Sequence, residues 1–210
     1  MISEELQNLL LKYAEPEDEL LQHIDRETNL KVLMPRMLSG HYQGRVLSML
    51  SKMNSPKRIL EIGTFTGYAT LCLAEGLTED GIIYTLDINA ELEDMVRDNF
   101  AKSPLNSKIN YLIGDAQKSI KSLKDEVFDI VFIDADKKNN GTYYDLIFDQ
   151  VKRGGIIIVD NVLWSGKVLA NAQDKDTKNI SSFNDQIATD SRVEKLILPV
   201  RDGLFVIRKK

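Results

Sequence analysis

The chain has 210 residues, 43% hydrophobic and 28% charged, which suits one globular domain with a substantial core. With 27 Lys and Arg against 32 Asp and Glu the formal net charge is −5, so bulk electrostatics do not favour nucleic acid. The single cysteine excludes an internal disulfide, no apolar run approaches the roughly 20 residues that span a bilayer, and the acidic, interrupted start is no signal peptide, so a reducing cytoplasm is expected.

Ile2, Leu6, Leu9, Leu10 and Tyr13 form a helical stripe. Glu15-Pro16-Glu17 predicts the start of a second helix reaching about Thr28, since proline and acids suit a first turn. Leu30 to Met37 has no clean period, and Pro35 breaks it. These two helices are extra to a minimal doubly wound domain, so residues 1–36 are expected to lid a site or form a dimer surface. Ser39-Gly40 opens a helix over about His41 to Met53, with Val46, Leu47, Met49 and Leu50 apolar. From Arg58 the chain reads RILEIGTFTGY: a short strand carrying Glu61, a turn bracketed by Gly63 and Gly67, then a helix from Tyr68 to Gly76. Cys72, among Leu71, Leu73 and Ala74, reads as a buried, inert thiol.

A second strand over Ile82 to Leu86 ends at Asp87, and a helix follows from Asn89 or Ala90 to about Lys102 with Leu92, Met95, Val96 and Phe100 inward. A third strand, Lys108 to Ile113, ends in Gly114-Asp115-Ala116, before a short helix from Gln117 to Leu123. The near-continuous apolar run FDIVFI, Phe128 to Ile133, implies a central strand buried on both faces. It ends in Asp134-Ala135-Asp136-Lys137. Tyr143 to Val151 is helical in pattern, and Gly154-Gly155 turns into another buried strand, IIIV, that ends in Asp160-Asn161. Leu163 to Asp176 reads as loop, and Thr177 to Asp190 as an amphipathic helix with Ile180, Phe183 and Ile187 on one face. The tail is a hairpin: VEKLILPV, the turn Arg201-Asp202-Gly203, then LFVIRK. Strands alternating with helices, then an antiparallel pair, predict one doubly wound α/β domain: a Rossmann-like, mostly parallel seven-stranded sheet with helices on both faces.

In such sheets ligands bind at the carboxyl ends of the strands. The residues there are Glu61, Asp87, Asp115, Asp134 with Asp136, and Asp160 with Asn161. A glycine turn lets a ligand approach the backbone, and Asp87 ending the next strand is placed to accept ribose hydroxyls, which together read as a nucleoside-cofactor site. An ordinary βα turn with a solvated acid would look the same. Asp134, Asp160 and Asn161, from adjacent predicted strands, suit a hard cation rather than zinc; two capping acids and an Asn turn are the plainer alternative. Lys137, next to this cluster, is either a general base shielded by a lid or a solvated helix-start lysine. Trp164 could wall a flat substrate or pack its own loop. His23 and His41 read as surface or structural residues.

Taken together, MLSGHYQGRVLSML, RILEIGTFTGYATLCLAEGL, TLDIN, GDA, FDIVFIDADKKNN, GGIIIVDNVLWSGKV and LPVRDGLFVIRK resemble the cation-dependent, S-adenosylmethionine-dependent O-methyltransferases of the caffeoyl-CoA and catechol type. The combination of FIDADK with DNVLWSG is specific, whereas the first two helices match weakly. The resemblance implies the class I methyltransferase fold and a cofactor site in which Glu61, Gly63, Thr64, Tyr68 and Ala69 follow the methionine part, flanked by Met37 and Ser39. It implies that Asp87 holds the ribose, that Ile88, Asp115 and Ala116 border the adenine, and that Asp136 binds the amino end. Asp134, Asp160 and Asn161 would hold Mg²⁺, or Mn²⁺ or Ca²⁺; Lys137, with Asp134 beside it, would do the proton transfer; and Trp164 and Ser165 would meet the acceptor. The family often has Ser at position 69 and Asn at 165, so one cofactor hydrogen bond and one substrate contact are expected to differ here. The implied acceptor is a small phenol with vicinal hydroxyls, and the implied assembly a homodimer. The alternative acceptor is a hydroxylated uridine of tRNA, with Arg26, Lys31, Arg36, Arg45 and Lys167 as phosphate contacts. A non-catalytic cofactor-binding protein is a weaker reading, because the metal ligands and the candidate base are all present.

Overall fold

The computed structural model describes residues 4–170 and 174–210; Ile2 and residues 171–173 of the expected loop lie outside them. The strands β1 (Arg58–Ile62), β2 (Ile82–Asp87), β3 (Ile109–Ile113), β4 (Phe128–Ile133), β5 (Val151–Val159), β6 (Val193–Leu198) and β7 (Leu204–Lys209) form a seven-stranded sheet in the order β3-β2-β1-β4-β5-β7-β6. β1 to β5 are parallel, and β7 runs antiparallel between β5 and β6. The strand order reverses between β1 and β4, and such a switch point opens a crevice at the carboxyl edge.

The helices are α1 (Glu4–Lys12), α2 (Glu19–Lys31), α3 (Gly40–Asn54), α4 (Tyr68–Ala74), α5 (Glu93–Ala101), α6 (Ala116–Ser122), α7 (Asn140–Ile147) and α8 (Lys175–Thr189). All of β4 is buried, and its side chains alternate between two cores. Ile130 and Phe132 join Leu21, Ile24, Leu47, Cys72 and Phe100 from α2 to α5. Phe128, Val131 and Ile133 join Ile120, Tyr144, Ile147, Phe183 and Ile187 from α6 to α8. Each such side chain contributes about 1.5–3 kcal/mol by leaving water, which is why an apolar run without alternation settles in the middle of the sheet. No helix among the described residues is long and apolar enough to cross a membrane.

The structure corrects several expected boundaries. α2 starts at Glu19, with the Asp18 carboxylate accepting from Leu21 N at 2.7 Å, and runs on to Lys31. Glu15 and Glu17 stay outside it because His41 Nε2 lies 2.6 Å from Glu15 O and Tyr68 Oη donates to Glu17. In α3 the buried stripe is Gln43, Gly44, Leu47, Ser48 and Ser51, while Met49 is exposed. α7 ends at Ile147; one 3-10 turn (Phe148–Gln150) leads into β5, and Lys209 Nζ donates to the carbonyls of Phe148 and Val151 at 2.7 and 2.8 Å. Gly154-Gly155 is therefore not a turn but an irregularity within β5, where the register to β4 shifts between Phe128 and Ile130. The expected loop after Leu163 contains tight 3-10 turns (Trp164–Leu169), and Asp174 caps α8, its carboxylate accepting from Thr177 N at 2.8 Å.

Candidate active site

The carboxyl edge is staggered by hydrogen bonds that run one residue past each strand. Gly114 N donates to Asp87 O, Gly63 N to Leu86 O, Asp134 N to Ile62 O, and Asp160 N to Ile133 O, at 2.8 to 3.0 Å. Asp87, Asp134 and Asp160 are thereby each fixed through the backbone to a neighbouring strand segment. A crevice of about 1520 Å³ runs along this edge. The predicted site residues from Met37 to Ser165 all line it except Glu61.

At one end lies the glycine turn. Gly63 has φ +104, and a Cβ there would stand 2.2 Å from Asp134 O, so the close approach of the β1 and β4 ends admits only glycine. Phe65 takes left-handed φ 51, and its N–H donates to Asp87 Oδ2 at 2.7 Å; Asn89 N donates to Asp87 Oδ1 at 2.9 Å. Asp87 thus locks the turn it faces. Ile88 is exposed beyond it, and Asp115 caps α6, accepting from Gln117 N at 2.8 Å, with Ala116 next to it. Tyr68 turns its hydroxyl away to Glu17, and burial pushes that phenol's pKa up. Ala69 brings no hydroxyl.

Glu61 lies beneath the crevice, fully buried. Its Oε2 accepts from Thr70 Oγ1 and from Thr85 Oγ1, the latter at 2.5 Å, while Oε1 has no hydrogen-bond partner among the described residues. Burial, then the charges of Asp134 and Asp87, raise its pKa to about 8 against the pull of the two threonines. Thr64, 3% exposed, extends the network through Thr85, its Oγ1 2.6 Å from Thr85 Oγ1.

At the other end β4 and β5 deliver Asp134 and Asp160 just past the paired residues Ile133 and Val159. Lys137 Nζ donates to Asp134 Oδ1 at 2.8 Å, with both side chains mostly shielded. Asp160 is 3% exposed; Asn161 N donates to its Oδ1 at 2.6 Å and Gln43 Nε2 to its Oδ2 at 2.8 Å. Burial, then the charge of Asp134, raise the Asp160 pKa to about 7. Among the described residues no three His, Cys, Asp or Glu side chains gather as a metal cage. The donor set is instead two mutually repelling carboxylates and the amide of Asn161, which suits a hard divalent cation with open positions. Asp136 accepts from Tyr143 Oη and from Asn139 Nδ2, each at 2.6 Å.

Trp164 and Ser165 sit on the rim with φ 47 and 54. They are propped by the hairpin turn: Ser165 N donates to Asp202 Oδ1, and Leu163 N to Asp202 O at 2.9 Å. Arg201 Nη1 donates to the carbonyls of Leu38 and Ser39, tying the same turn to the segment that carries Met37 and Ser39. Gln43, Tyr143, Arg201 and Asp202 were not singled out from sequence. Gln43 did carry a signal, a polar residue one turn before Leu47 on the buried stripe. The two histidines and Cys72 stay outside this chemistry: His23 meets Lys102, His41 holds the α1–α2 connection, and burial pushes the Cys72 thiol up to about 12. Of the five candidate phosphate contacts, Lys31, Arg36 and Lys167 line the crevice, Lys31 paired with Glu27 and Lys167 with Asp174, while Arg45 is ion-paired with Glu75.

A sequence model of the O-methyltransferase family matches residues 12–210. The chain is 33% identical to a probable caffeoyl-CoA O-methyltransferase 2 of Dictyostelium discoideum, over 96% of this chain and 92% of that one. It is 37% identical to a caffeoyl-CoA O-methyltransferase of Mesembryanthemum crystallinum, over 82% of this chain and 73% of that one. Among solved structures, an O-methyltransferase from Bacillus cereus in complex with SAH matches with a TM-score of 0.90 at 29% identity, covering 98% of this chain and 97% of that one. SAH-bound methyltransferase PaMTH1 of Podospora anserina matches with a TM-score of 0.90 at 27% identity, covering 100% and 97%.

Proposed function

The chain belongs to the O-methyltransferase family, and we propose that it transfers the methyl group of S-adenosylmethionine to one hydroxyl of a small phenol with vicinal hydroxyls, with the help of a divalent cation. As a methyltransferase dependent on S-adenosylmethionine it needs one place for the cofactor and one for the acceptor, and the crevice has two chemically distinct ends. The observation that carries the finer reading is the acceptor end: Asp134 and Asp160 side by side on β4 and β5, with Lys137 on Asp134.

Asp87 would take the ribose hydroxyls with its remaining lone pairs, and Ile88, Asp115 and Ala116 would border the adenine. Gly63, Thr64, Tyr68 and Ala69 would follow the methionine part, with Glu61 beneath and Met37 and Ser39 beside it. Asp136, held by Tyr143 and Asn139, would receive the amino end. Asp134, Asp160 and Asn161 would hold the cation, Mg²⁺ or else Mn²⁺ or Ca²⁺. When bound, such an ion supplies positive charge that favours ionisation of a phenol whose ordinary pKa is about 10. Lys137 Nζ, in its neutral amine form, would take the proton of the acceptor hydroxyl and become the ammonium, and its contact with Asp134 keeps it at that spot. Trp164 and Ser165 would bound the acceptor ring and hold back water. Holding oxygen, methyl carbon and sulfur in line accounts for much of the acceleration. The single domain of residues 1–210 would pair as a homodimer, and Leu9 of α1, Tyr13 just after it and Met53 of α3 are exposed apolar residues available to such an interface.

The test is methyl transfer from labelled S-adenosylmethionine to protocatechuate, a vicinal dihydroxybenzoate, with Mg²⁺ and with EDTA. Transfer that EDTA removes, and none to the monohydroxy analogue, is the expected result. Transfer that survives EDTA would sink the cation, and equal transfer to the monohydroxy analogue would sink the vicinal acceptor.

A further inference from the structure

Asp160 is the only carboxylate among the described strand-end acids whose side chain meets a buried side-chain amide. Gln43 is fully buried on the second turn of α3, 117 residues away in sequence, and its Nε2 lies 2.8 Å from Asp160 Oδ2. With Asp160 ionised, the nitrogen is the atom that faces it, since an amide oxygen at that distance would repel the carboxylate. Its Oε1 has no hydrogen-bond partner among the described residues. An unpartnered buried acceptor is unfavourable, and a leucine would fill the same space without one. A glutamine here is therefore accounted for by its donor, not by packing.

The helix that carries it is placed tightly. A Cβ at Gly44 would stand 2.7 Å from Tyr68 Cε1 and 2.8 Å from Cys72 Sγ, so α3 lies close against α4 and has little room to shift. Asn161 N holds Oδ1 and Gln43 holds Oδ2, so both ends of the Asp160 carboxylate are pinned by neutral donors. A lysine or arginine at position 43 would pin it equally well but cancel its charge, and a divalent cation is held by charge. Asp134, by contrast, has a charged partner in Lys137.

Resting on the cation reading above, we propose that Gln43 is a positioning residue for the Asp160 arm of the cation site, fixing the carboxylate plane while leaving its negative charge intact. Hydrogen bonds to metal-ligating carboxylates tune affinity in this way, by about ten- to a hundredfold when removed.

The experiment is Mn²⁺ titration by calorimetry of wild type, Gln43→Leu and Gln43→Glu, each saturated with S-adenosylhomocysteine, together with thermal melts with and without Mn²⁺. Gln43→Leu is expected to bind Mn²⁺ about tenfold or more weakly, while its S-adenosylhomocysteine affinity in EDTA stays within about twofold. Gln43→Glu sets a second carboxylate against Asp160, so its metal-free melting temperature falls and Mn²⁺ raises it by more than in wild type, a response that a purely structural glutamine would not produce. A Gln43→Leu protein that binds Mn²⁺ like wild type overturns the proposal. Should that variant not fold, a Mn²⁺ shift in Gln43→Glu no larger than in wild type overturns it as well. If wild type itself takes up no Mn²⁺, the cation reading fails first and this inference with it, and the wild-type titration alone reports that outcome.

Discussion

The cofactor end of the crevice is assembled from segments that are short and contiguous: the turn from Gly63 to Ala69, then Asp87-Ile88, then Asp115-Ala116, each at the end of its own strand. The cation and acceptor end draws on parts far apart in sequence: Gln43 from α3, Asp134 and Lys137 after β4, Asp160 to Ser165 after β5, and Arg201 and Asp202 from the hairpin turn. Backbone strain follows the same division. Of the six non-glycine residues with positive φ among those described, Asn161, Trp164, Ser165 and Arg201 lie at the acceptor end and Phe65 alone lies in the cofactor turn. Left-handed residues persist only where neighbours over-determine them, at about 1–3 kcal/mol each. The cofactor end is therefore built largely from short contiguous segments, and the acceptor end largely from contacts between distant ones.

If that division holds, damage at one end should spare the other. Asp160→Ala should cut methyl transfer by about 10³-fold, the scale of several kcal/mol of charge stabilisation, while the affinity for S-adenosylhomocysteine by calorimetry stays within about threefold. A comparable loss of cofactor binding would break the comparison. Lys137→Met should lower turnover by about 10²-fold with the cation still bound, as for loss of a general base. Wild-type turnover in that variant would remove Lys137 from proton transfer. Asp87→Ala acts at the opposite end: it frees Phe65 N and Asn89 N as well as the ribose hydroxyls, and should weaken S-adenosylhomocysteine by about ten- to a hundredfold. Unchanged affinity would withdraw the ribose assignment.

The smallest effect sharpens the comparison by locating Glu61 between the ends. Its folded pKa, about 8, stands above the ordinary 4.5, so the folded protein holds this proton more tightly than the unfolded chain does. The stability it contributes is complete below 4.5 and is lost as pH rises through about 8. Glu61→Gln removes that dependence. Its melting temperature relative to wild type should rise by several degrees more at high than at low pH across this window. A difference that does not change with pH would mean that Glu61 is not the titrating group.

The legibility of the sequence tracks the same split. FDIVFI carried enough buried surface to fix β4 as central whatever surrounds it, and each strand-end acid could be named because a parallel strand has one carboxyl end. Errors came where a tertiary contact overruled a local signal. Lys209, from the last strand, captures the carbonyls of Phe148 and Val151 and ends α7 early, and glycines that read as a turn lie within β5. Tyr68 sits next to the glycine turn in sequence, yet its hydroxyl serves the α1–α2 connection.

Hydrophobic period and turn chemistry act over a few residues, so the α/β class, the strand ends and the acids upon them can be read along the chain. Folding in three dimensions sets which neutral amide meets Asp160, which hairpin turn props Trp164 and Ser165, and why the turn after β1 must have glycine at position 63. Those are contacts between chain segments far apart in sequence, and no local periodicity encodes a partner that distant.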